Sequence, residues 1–440
     1  MRASCIEIIG EVEKGLFLDE TINTFFQKKR TDNRLKGIIY EITSGAIRWK
    51  GFFEWVLDIF AQRSIKPRLK YLLWITLYQI TFMKKSPYHV IKEAVEFAKQ
   101  KEGVYGGNFV NAILRRYIKE IIDVIKRDEK KDIHSLSTDI PYSYIIKNKS
   151  MSTEKGISIG YSFPQWMVIR WLKRYGEEET IRLCSHLNKT PYFTIRLAAE
   201  DEKKEDIIRH FEKKGVTLKK ARFLNNAYYI DKLTPVIDDP FFKEGLLFVQ
   251  DEASQLAGIA VAPENKDTVL DACCGFGTKT AQIKGLAREA SVFSIDRDMN
   301  KLKKNKNMGY LIKGDVMAAP FKEEAFDRIL LDAPCSSVGI IRKHPEIKWR
   351  LKEKDIINCG RYQHAMIDAL WPSLKKNGYF IYSVCSFEPE ETTLLIEELQ
   401  KKHKFIIEKP LPLLFNNEYF ISLPHKTDLD GFFIARLKKQ

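Results

Sequence analysis

The sequence predicts a multidomain chain: an all-α N-terminal domain, a small α+β middle domain and a C-terminal α/β domain built on a mainly parallel sheet. Three observations carry this. Apolar residues recur at three- and four-residue steps in IIYEITSGAIRWKGFFEWVLDIF and VIKEAVEFAKQ, the period of amphipathic helices. After residue 161, a helical run, WMVIRWLKRYG, is followed by the strand-like YFTIRLA and AYYIDKL. From about Glu244 onward, the short β-type runs TVLDAC, SVFSID, DRILLDAPC and GYFIYSVC alternate with helical segments, which implies crossover units.

Taken in order, residues 1–126 form the helical domain. Pro67 and Pro87 stand where helices begin, a position that tolerates a missing N–H. Gly103, Gly106 and Gly107 interrupt the pattern before a last helix, NFVNAILRRYIKEIIDVI. The polar stretch Lys126 to Lys155 has no period, so a linker is expected over 127–160. The middle domain is placed at 161–243. The C-terminal domain is placed at 244–440, with AQIKGLA, the stretch after Arg361 and EETTLLIEELQKK as helices and GFFIARL as a last strand. No internal repeat is present.

Composition narrows the function classes. The chain has 440 residues, 44% of them apolar and 12% aromatic, which excludes a wholly disordered chain. Lys and Arg total 73 against 58 Asp and Glu, a net charge of +15. Residues 1–150 hold 27 basic and 18 acidic residues, so about a third of the chain carries more than half the excess. A polyanionic partner is expected, nucleic acid before an anionic membrane. Tyr71 to Phe82, the most apolar stretch, is too short to span a bilayer and reads as a buried helix. The seven cysteines are odd in number and lack metal-type pairing, so neither a disulfide framework nor a metal site is expected. With no signal-type segment at the start, the chain reads as cytoplasmic, with reduced thiols.

Chemistry concentrates at strand ends. Asp271-Ala272-Cys273-Cys274-Gly275-Phe276-Gly277-Thr278-Lys279-Thr280 follows one strand and opens a helix. Its glycines allow a sharp turn and close approach of a ligand, and ligands in such folds lie beyond the carboxyl ends of the strands. Asp296 ends the next strand, where a carboxylate suits two ribose hydroxyls. A dinucleotide and S-adenosylmethionine both fit a nucleoside site of this kind. Thr280 in place of the third glycine and Lys279 inside the turn weigh against the dinucleotide.

Two cysteines, Cys335 after DRILLDAP and Cys385 after GYFIYSV, close strands of the same sheet. A thiolate beside a methyl donor suggests attack at carbon 6 of a pyrimidine, which makes carbon 5 an enamine carbon able to accept a methyl group. A nearby acid would stabilise the developing charge and a base would remove the carbon-5 proton. Asp332, Cys335 and Cys385 are the candidates for these roles.

FVQDEASQL, DACCGFGTKT, SIDRD, LIKGD, LLDAPCSSVGIIRKHPEIKW, YSVCSFEPEE and DGFFIARL together resemble the Nop/Sun family of RNA cytosine-carbon-5 methyltransferases. EITSGAIRWKGFFEWVL, LWITLYQITFM, PYHVIKEAVEFAK and GNFVNAILRR look like a NusB-type RNA-binding domain. Their fusion is the arrangement of the subgroup of bacterial 16S ribosomal RNA cytosine-5 methyltransferases. The resemblance implies a Rossmann-like class I methyltransferase domain, S-adenosylmethionine as donor, 16S ribosomal RNA as partner and a monomer away from membranes.

By resemblance, Cys385 is the nucleophile, Cys335 assists product release, and Asp332 contacts the cytosine near the donor. Lys279 sits near the reacting centre. Cys273, Cys274, Gly275, Phe276, Gly277, Thr278 and Lys279 form the donor loop, Asp296 holds the ribose and Asp315 lies near the adenine. The loop departs from the family's C-A-A-P-G-G-K-T, with Cys274, Gly275, Phe276 and Thr278 replacing Ala, Ala, Pro and Gly. Candidate RNA contacts are Lys28, Lys29, Arg30, Arg34 and Lys36, then Arg115 and Arg116, with Arg342, Lys343 and His344 bordering the target nucleotide. The altered loop motivates a competing reading, a catalytically weak RNA-binding ribosome-assembly factor. The same chemistry on another RNA and a NAD-dependent oxidoreductase are further alternatives.

Overall fold

Helices of the first third begin where the sequence supplies caps. The computed structural model describes residues 1–29, 32–83, 85–125, 140–148, 150–303, 309–318 and 321–440. Helices span Arg2–Glu13, Leu18–Lys28, Asn33–Arg48, Lys50–Phe60, Pro67–Phe82 and Pro87–Tyr117. Asp32 opens the third by accepting from the N–H groups of Arg34 and Leu35 at 3.1 and 3.4 Å. Pro67 and Pro87 occupy first-turn positions. Gly103, at φ 78°, kinks the long sixth helix, because only a residue without Cβ turns the backbone there at little cost. The helices bury Trp49, Phe52, Phe53, Trp74 and Tyr117. The apolar run 71–82 lies inside this core, and among the described residues no helix is long and apolar enough to cross a membrane.

The chain divides into two compact units, Met1–Thr190 with Ile341–Arg350, and Pro191–Ile340 with Leu351–Gln440. This division into two units is coarser than the three expected domains and cuts across the middle one. Where described, the expected linker is helical, as Ile140–Asn148 and Thr153–Gly160, and belongs to the first unit. Ile145 and Ile157 are fully buried, and Tyr142 stacks on Tyr161 at 4.8 Å. Those short apolar faces were masked by the polar residues around them. Helix Gln165–Leu187, expected in the middle domain, also joins the first unit, burying Trp171 and Leu183. Its period reports a helix but not which core receives it.

Residues 341–350 enter the first unit through polar bonds as well as packing. The Lys348 ammonium donates to Arg48 O at 3.2 Å, Ser162 O at 3.1 Å and Asn188 Oδ1 at 2.6 Å. Trp349 Nε1 donates to Ile47 O at 2.8 Å. Both side chains therefore satisfy carbonyls at the end of helix Asn33–Arg48. Glu346 accepts the Leu18 N–H at 3.1 Å, capping a helix whose own N-cap, Phe17, has no suitable side chain.

In the second unit, β1 (Phe193–Leu197), β2 (Leu218–Lys220), β3 (Ala227–Ile230) and β4 (Leu247–Val249) form an antiparallel sheet in the order β2-β3-β1-β4. Helix Asp201–Lys213 contributes Ile207 and Phe211 to its core. β4 lies past the expected boundary at 243, because Ile195 and Val249 pair across β1 and β4.

The larger sheet contains β5 (Thr268–Ala272), β6 (Ser291–Asp296), β7 (Tyr310–Lys313), β8 (Phe326–Asp332), β9 (Leu374–Val384), β10 (Phe405–Glu408), β11 (Phe420–Ser422) and β12 (Phe432–Lys439). Its order is β10-β12-β9-β8-β5-β6-β7, with β11 paired to β12. Neighbours from β7 to β9 run parallel, while β12 is antiparallel to both β9 and β10. Leu270, Leu330, Ile381 and Ile434 are fully buried, as expected of strands covered on both faces. Parallel pairing brings the carboxyl ends of β5, β6, β8 and β9 to one edge.

Candidate active site

The turn after β5 is shaped by backbone that ordinary residues avoid. Cys273, Gly275 and Gly277 have φ of 62°, 55° and 74°, and Gly277 caps helix Thr278–Leu286 in the left-handed region. A Cβ placed on Gly275 would meet nothing within 4 Å, so this backbone faces open space. The Asp296 carboxylate at the end of β6 accepts the N–H of Gly275 and that of Asp298, both at 2.8 Å. The loop is thereby tied to the acid expected to hold a ribose. Phe276 is 53% exposed at the loop tip, whereas Cys274 is buried. Burial pushes the Cys273 thiol up to about 12, and burial raises Cys274 as well, so neither is an activated nucleophile.

Beneath the turn, Asp271 is fully buried, with Oδ2 accepting from Thr280 Oγ1 at 2.6 Å. Burial pushes its carboxyl up to about 7. The loop is braced from the small sheet. Arg196 Nε donates to Gln250 Oε1 at 2.8 Å, and its guanidinium reaches Thr278 O at 3.3 Å. Asp315 is paired with Arg297 and accepts the Met317 N–H at 2.9 Å.

Next along the edge, the Lys279 ammonium donates to Asp332 Oδ2 at 2.6 Å, and Ser383 Oγ donates to Asp332 Oδ1 at 2.8 Å. Asp332 and Ser383 are partners in the β8–β9 register, so the sheet itself sets this contact. Cys335 Sγ and Cys385 Sγ lie 3.1 Å apart, both as free, half-buried thiols. Ser337 Oγ stands 3.9 Å from the first sulfur and 3.6 Å from the second. The hydrogen bond between the thiols lowers the Cys385 thiol and raises Cys335, so the anion is favoured on Cys385 with Cys335 S–H donating to it. A thiolate, an acid fixed by a cation and a nucleoside-shaped turn thus share one sheet edge, an arrangement suited to covalent group transfer.

The other expected residues are placed differently. Lys28 and Arg34 are exposed. Lys29 pairs with Glu7 at 3.0 Å and covers the Phe25 ring, and Lys36 lies 5.7 Å from the Phe26 ring. Arg115 donates to Asn111 at 3.2 Å, and Arg116 to Glu120 at 2.7 Å. Arg30 lies outside the described residues. Arg342 departs from expectation. It is buried in the first unit, with Nη1 2.8 Å from His186 Nε2 and its carbonyl accepting from Arg48 at 2.6 Å, and so is not displayed for RNA. His344 stands 3.8 Å from Asp19 and 3.7 Å from Glu346, beside the half-buried Lys343. Basic residues on a short run look alike in sequence whether they face water or a core.

Sequence reasoning did not single out Ser337, Ser383, Arg196 or Glu391. Ser383 and Glu391 lie inside the quoted run YSVCSFEPEE, but only strand pairing, for Ser383, and tertiary hydrogen bonds, for Glu391, show what they touch.

Fold and site define a class, the methyltransferases. The profile described as 16S rRNA methyltransferase RsmB/F matches residues 258–438, that of the NusB family matches 1–119, and that of the RsmF/B-like ferredoxin-like domain matches 163–237. Segment by segment, the chain is similar to 16S rRNA methyltransferases of the RsmB/F type, with a NusB-like first domain and a ferredoxin-like middle domain. It is 28% identical to ribosomal RNA small subunit methyltransferase B of Cronobacter sakazakii, over 100% of this chain and 98% of that protein. It is also 28% identical to the probable ribosomal RNA small subunit methyltransferase B of Bacillus subtilis, over 100% and 99%. Among solved structures, PH0851 matches with a TM-score of 0.77 at 23% identity over 99% of this chain and 98% of that one. NSun6 from Pyrococcus horikoshii with SFG matches with a TM-score of 0.56 at 20% identity, over 63% and 99%. These two likenesses concern the fold.

Proposed function

We propose that the chain transfers a methyl group from S-adenosylmethionine to carbon 5 of a cytosine in 16S ribosomal RNA, through a covalent bond from Cys385 to carbon 6. The observation that carries this reading is the 3.1 Å thiol pair on the edge that also holds the Lys279–Asp332 pair. The donor-site residues fit a nucleoside, since the Gly275 backbone faces open space and Asp296 organises the loop. Cys273 to Lys279, Asp296 and Asp315 are the residues that would hold the donor. When bound, S-adenosylmethionine supplies an electrophilic methyl group.

The protein's own part is addition, charge stabilisation and release. Cys385 thiolate adds to carbon 6, and the electron pair of the 5,6 double bond moves so that carbon 5 becomes nucleophilic. As negative charge develops on the ring, Asp332, which accepts from Lys279 and Ser383, stabilises it by passing a proton from the Lys279 ammonium to the ring nitrogen. After methylation a base takes the carbon-5 proton, the double bond re-forms and Cys385 leaves as thiolate. The contact of Cys335 with that sulfur supports its assignment to assist this step. The target base must leave its stack to reach the site, so an unpaired cytosine is the expected substrate. The NusB-like helical domain is read as the part that holds RNA in the cytoplasm, through phosphate contacts from its exposed cations.

Purified protein, labelled donor and unmodified 16S RNA are expected to yield 5-methylcytosine, and donor binding with no product on any RNA would support the assembly-factor reading instead. Cys335→Ala is expected to accumulate an RNA–protein adduct that denaturing gels resolve. Cys385→Ala is expected to form none, and an adduct persisting without Cys385 would reverse the two roles.

A further inference from the structure

The two cysteines come from different strands, and a 3.1 Å separation of their sulfurs requires that both strand ends be held in one register. One side chain that the reaction itself does not use touches the residue after each cysteine. Glu391 is fully buried. Its Oε1 accepts the Ser336 N–H at 2.8 Å and Gln363 Nε2 at 3.0 Å. Its Oε2 accepts from the Ser386 hydroxyl at 2.6 Å and also from the Ser336 hydroxyl. Ser336 follows Cys335 and Ser386 follows Cys385.

The same group is anchored from behind. Tyr382, on β9, donates its hydroxyl to Glu391 O at 2.7 Å and lies 2.9 Å from Gln363 Oε1. Gln363, on helix Glu353–Leu370, reaches Pro334 O at 3.0 Å, the carbonyl just before Cys335. Ser386, Gln363 and Tyr382 are fully buried and Ser336 nearly so. Burial raises the Glu391 carboxyl, and the donors around both oxygens offset part of that cost. Every donor belongs to one of the two cysteine segments or to the helix bracing them.

We propose that Glu391 is a positioning residue for methyl transfer: it clamps the Ser336 and Ser386 segments together and so sets the contact between the nucleophilic and release thiols. This rests on the cysteine-dependent reading above. Among the described residues the hydrogen bonds of the Glu391 carboxyl go to Ser336, Ser386 and Gln363 and not to either sulfur, so it acts through geometry rather than proton transfer. Serine hydroxyls can donate or accept, so an amide of the same shape can keep most of the clamp.

The test compares Glu391→Ala with Glu391→Gln. A misplacement of about 1 Å at a reacting pair costs on the order of 100-fold in rate, so Glu391→Ala is expected to lower kcat by about that factor with KM for the donor unchanged. Glu391→Gln is expected to stay within about tenfold of the native enzyme. Native kcat in the alanine variant, or a glutamine variant as impaired as alanine, would overturn the proposal. The second outcome would assign Glu391 a charge or proton role.

A measurement on the free protein separates this from failure of the functional reading. The pH midpoint for iodoacetamide alkylation of Cys385, read by mass spectrometry, is expected to rise in Glu391→Ala and return in Glu391→Gln. The adjacent Cys335 S–H lowers the Cys385 thiol more strongly than the distant carboxylate raises it. An unchanged midpoint in the alanine variant would overturn the positioning role even for a protein that methylates no RNA. If Glu391→Ala does not fold, the Ser336→Ala/Ser386→Ala double variant removes the hydroxyl half of the clamp. It is judged by the same two readings.

Discussion

Each functional side chain takes its chemistry from what surrounds it. Asp271 and Asp332 are both strand-end aspartates, yet one is sealed beneath the donor loop and the other is held by Lys279 and Ser383. Burial pushes Asp271 up to about 7 from an ordinary 3.8. A carboxyl raised in the folded state contributes stability that is present below its unfolded value and is lost as pH rises through its folded value. Asp271→Asn stays neutral throughout. Its unfolding midpoint is expected to match the native protein near pH 4 and to exceed it increasingly toward pH 8, as thermal melts across that range will show. Parallel profiles would refute the buried neutral acid. The sequence marked Asp271 as the start of the loop but not its isolation from water, because burial depends on what the helix after the loop lays over it.

At the scale of elements, helix ends decide where segments go. The end of helix Asn33–Arg48 exposes carbonyls that its own chain leaves to Lys348 and Trp349, more than 290 positions away. Lys348→Met keeps the volume and removes three hydrogen bonds, stranding the Arg48, Ser162 and Asn188 oxygens. With each buried unsatisfied acceptor costing about 1–3 kcal/mol, a loss of roughly 3 kcal/mol or more is expected in the unfolding of the helical unit. Urea denaturation followed by tryptophan fluorescence measures this, and donor affinity, a property of the other unit, is expected to hold. An undiminished unfolding free energy would show the three bonds to be dispensable. Helix and strand types were readable from periodicity because that signal is local. The membership of 140–160, 165–187 and 341–350 in the first unit was not, since nothing within those runs names their packing partners.

Over the whole molecule, charge and chemistry are divided along the chain. More than half of the net +15 falls in the first 150 residues, whereas the thiol pair and donor loop belong to the second unit. If the exposed cations of the helical domain meet phosphates, each contributes about 0.7 to the slope of log affinity against log salt for single-stranded RNA. Replacing Lys28 and Arg34 together by alanine is therefore expected to reduce that slope by about 1.4 and leave donor affinity unaltered. Fluorescence anisotropy across a salt series provides the check. A native slope in the double variant would remove this cluster from the RNA-binding face.

The sequence sufficed for what short-range pattern and residue chemistry encode. These are the helical first third, the alternating C-terminal sheet, the glycine turn with its following acid, and two cysteines at strand ends. Each depends on neighbours within a few residues or on the reactivity of a single side chain. Tertiary structure was needed for everything that depends on distance between remote positions: the 3.1 Å thiol contact, the Glu391 clamp, the burial of Arg342 and Lys348, and the place of residues 341–350. Hydrogen-bond partners and desolvation arise only once separate strands and helices are packed, so no run of residues read alone contains them.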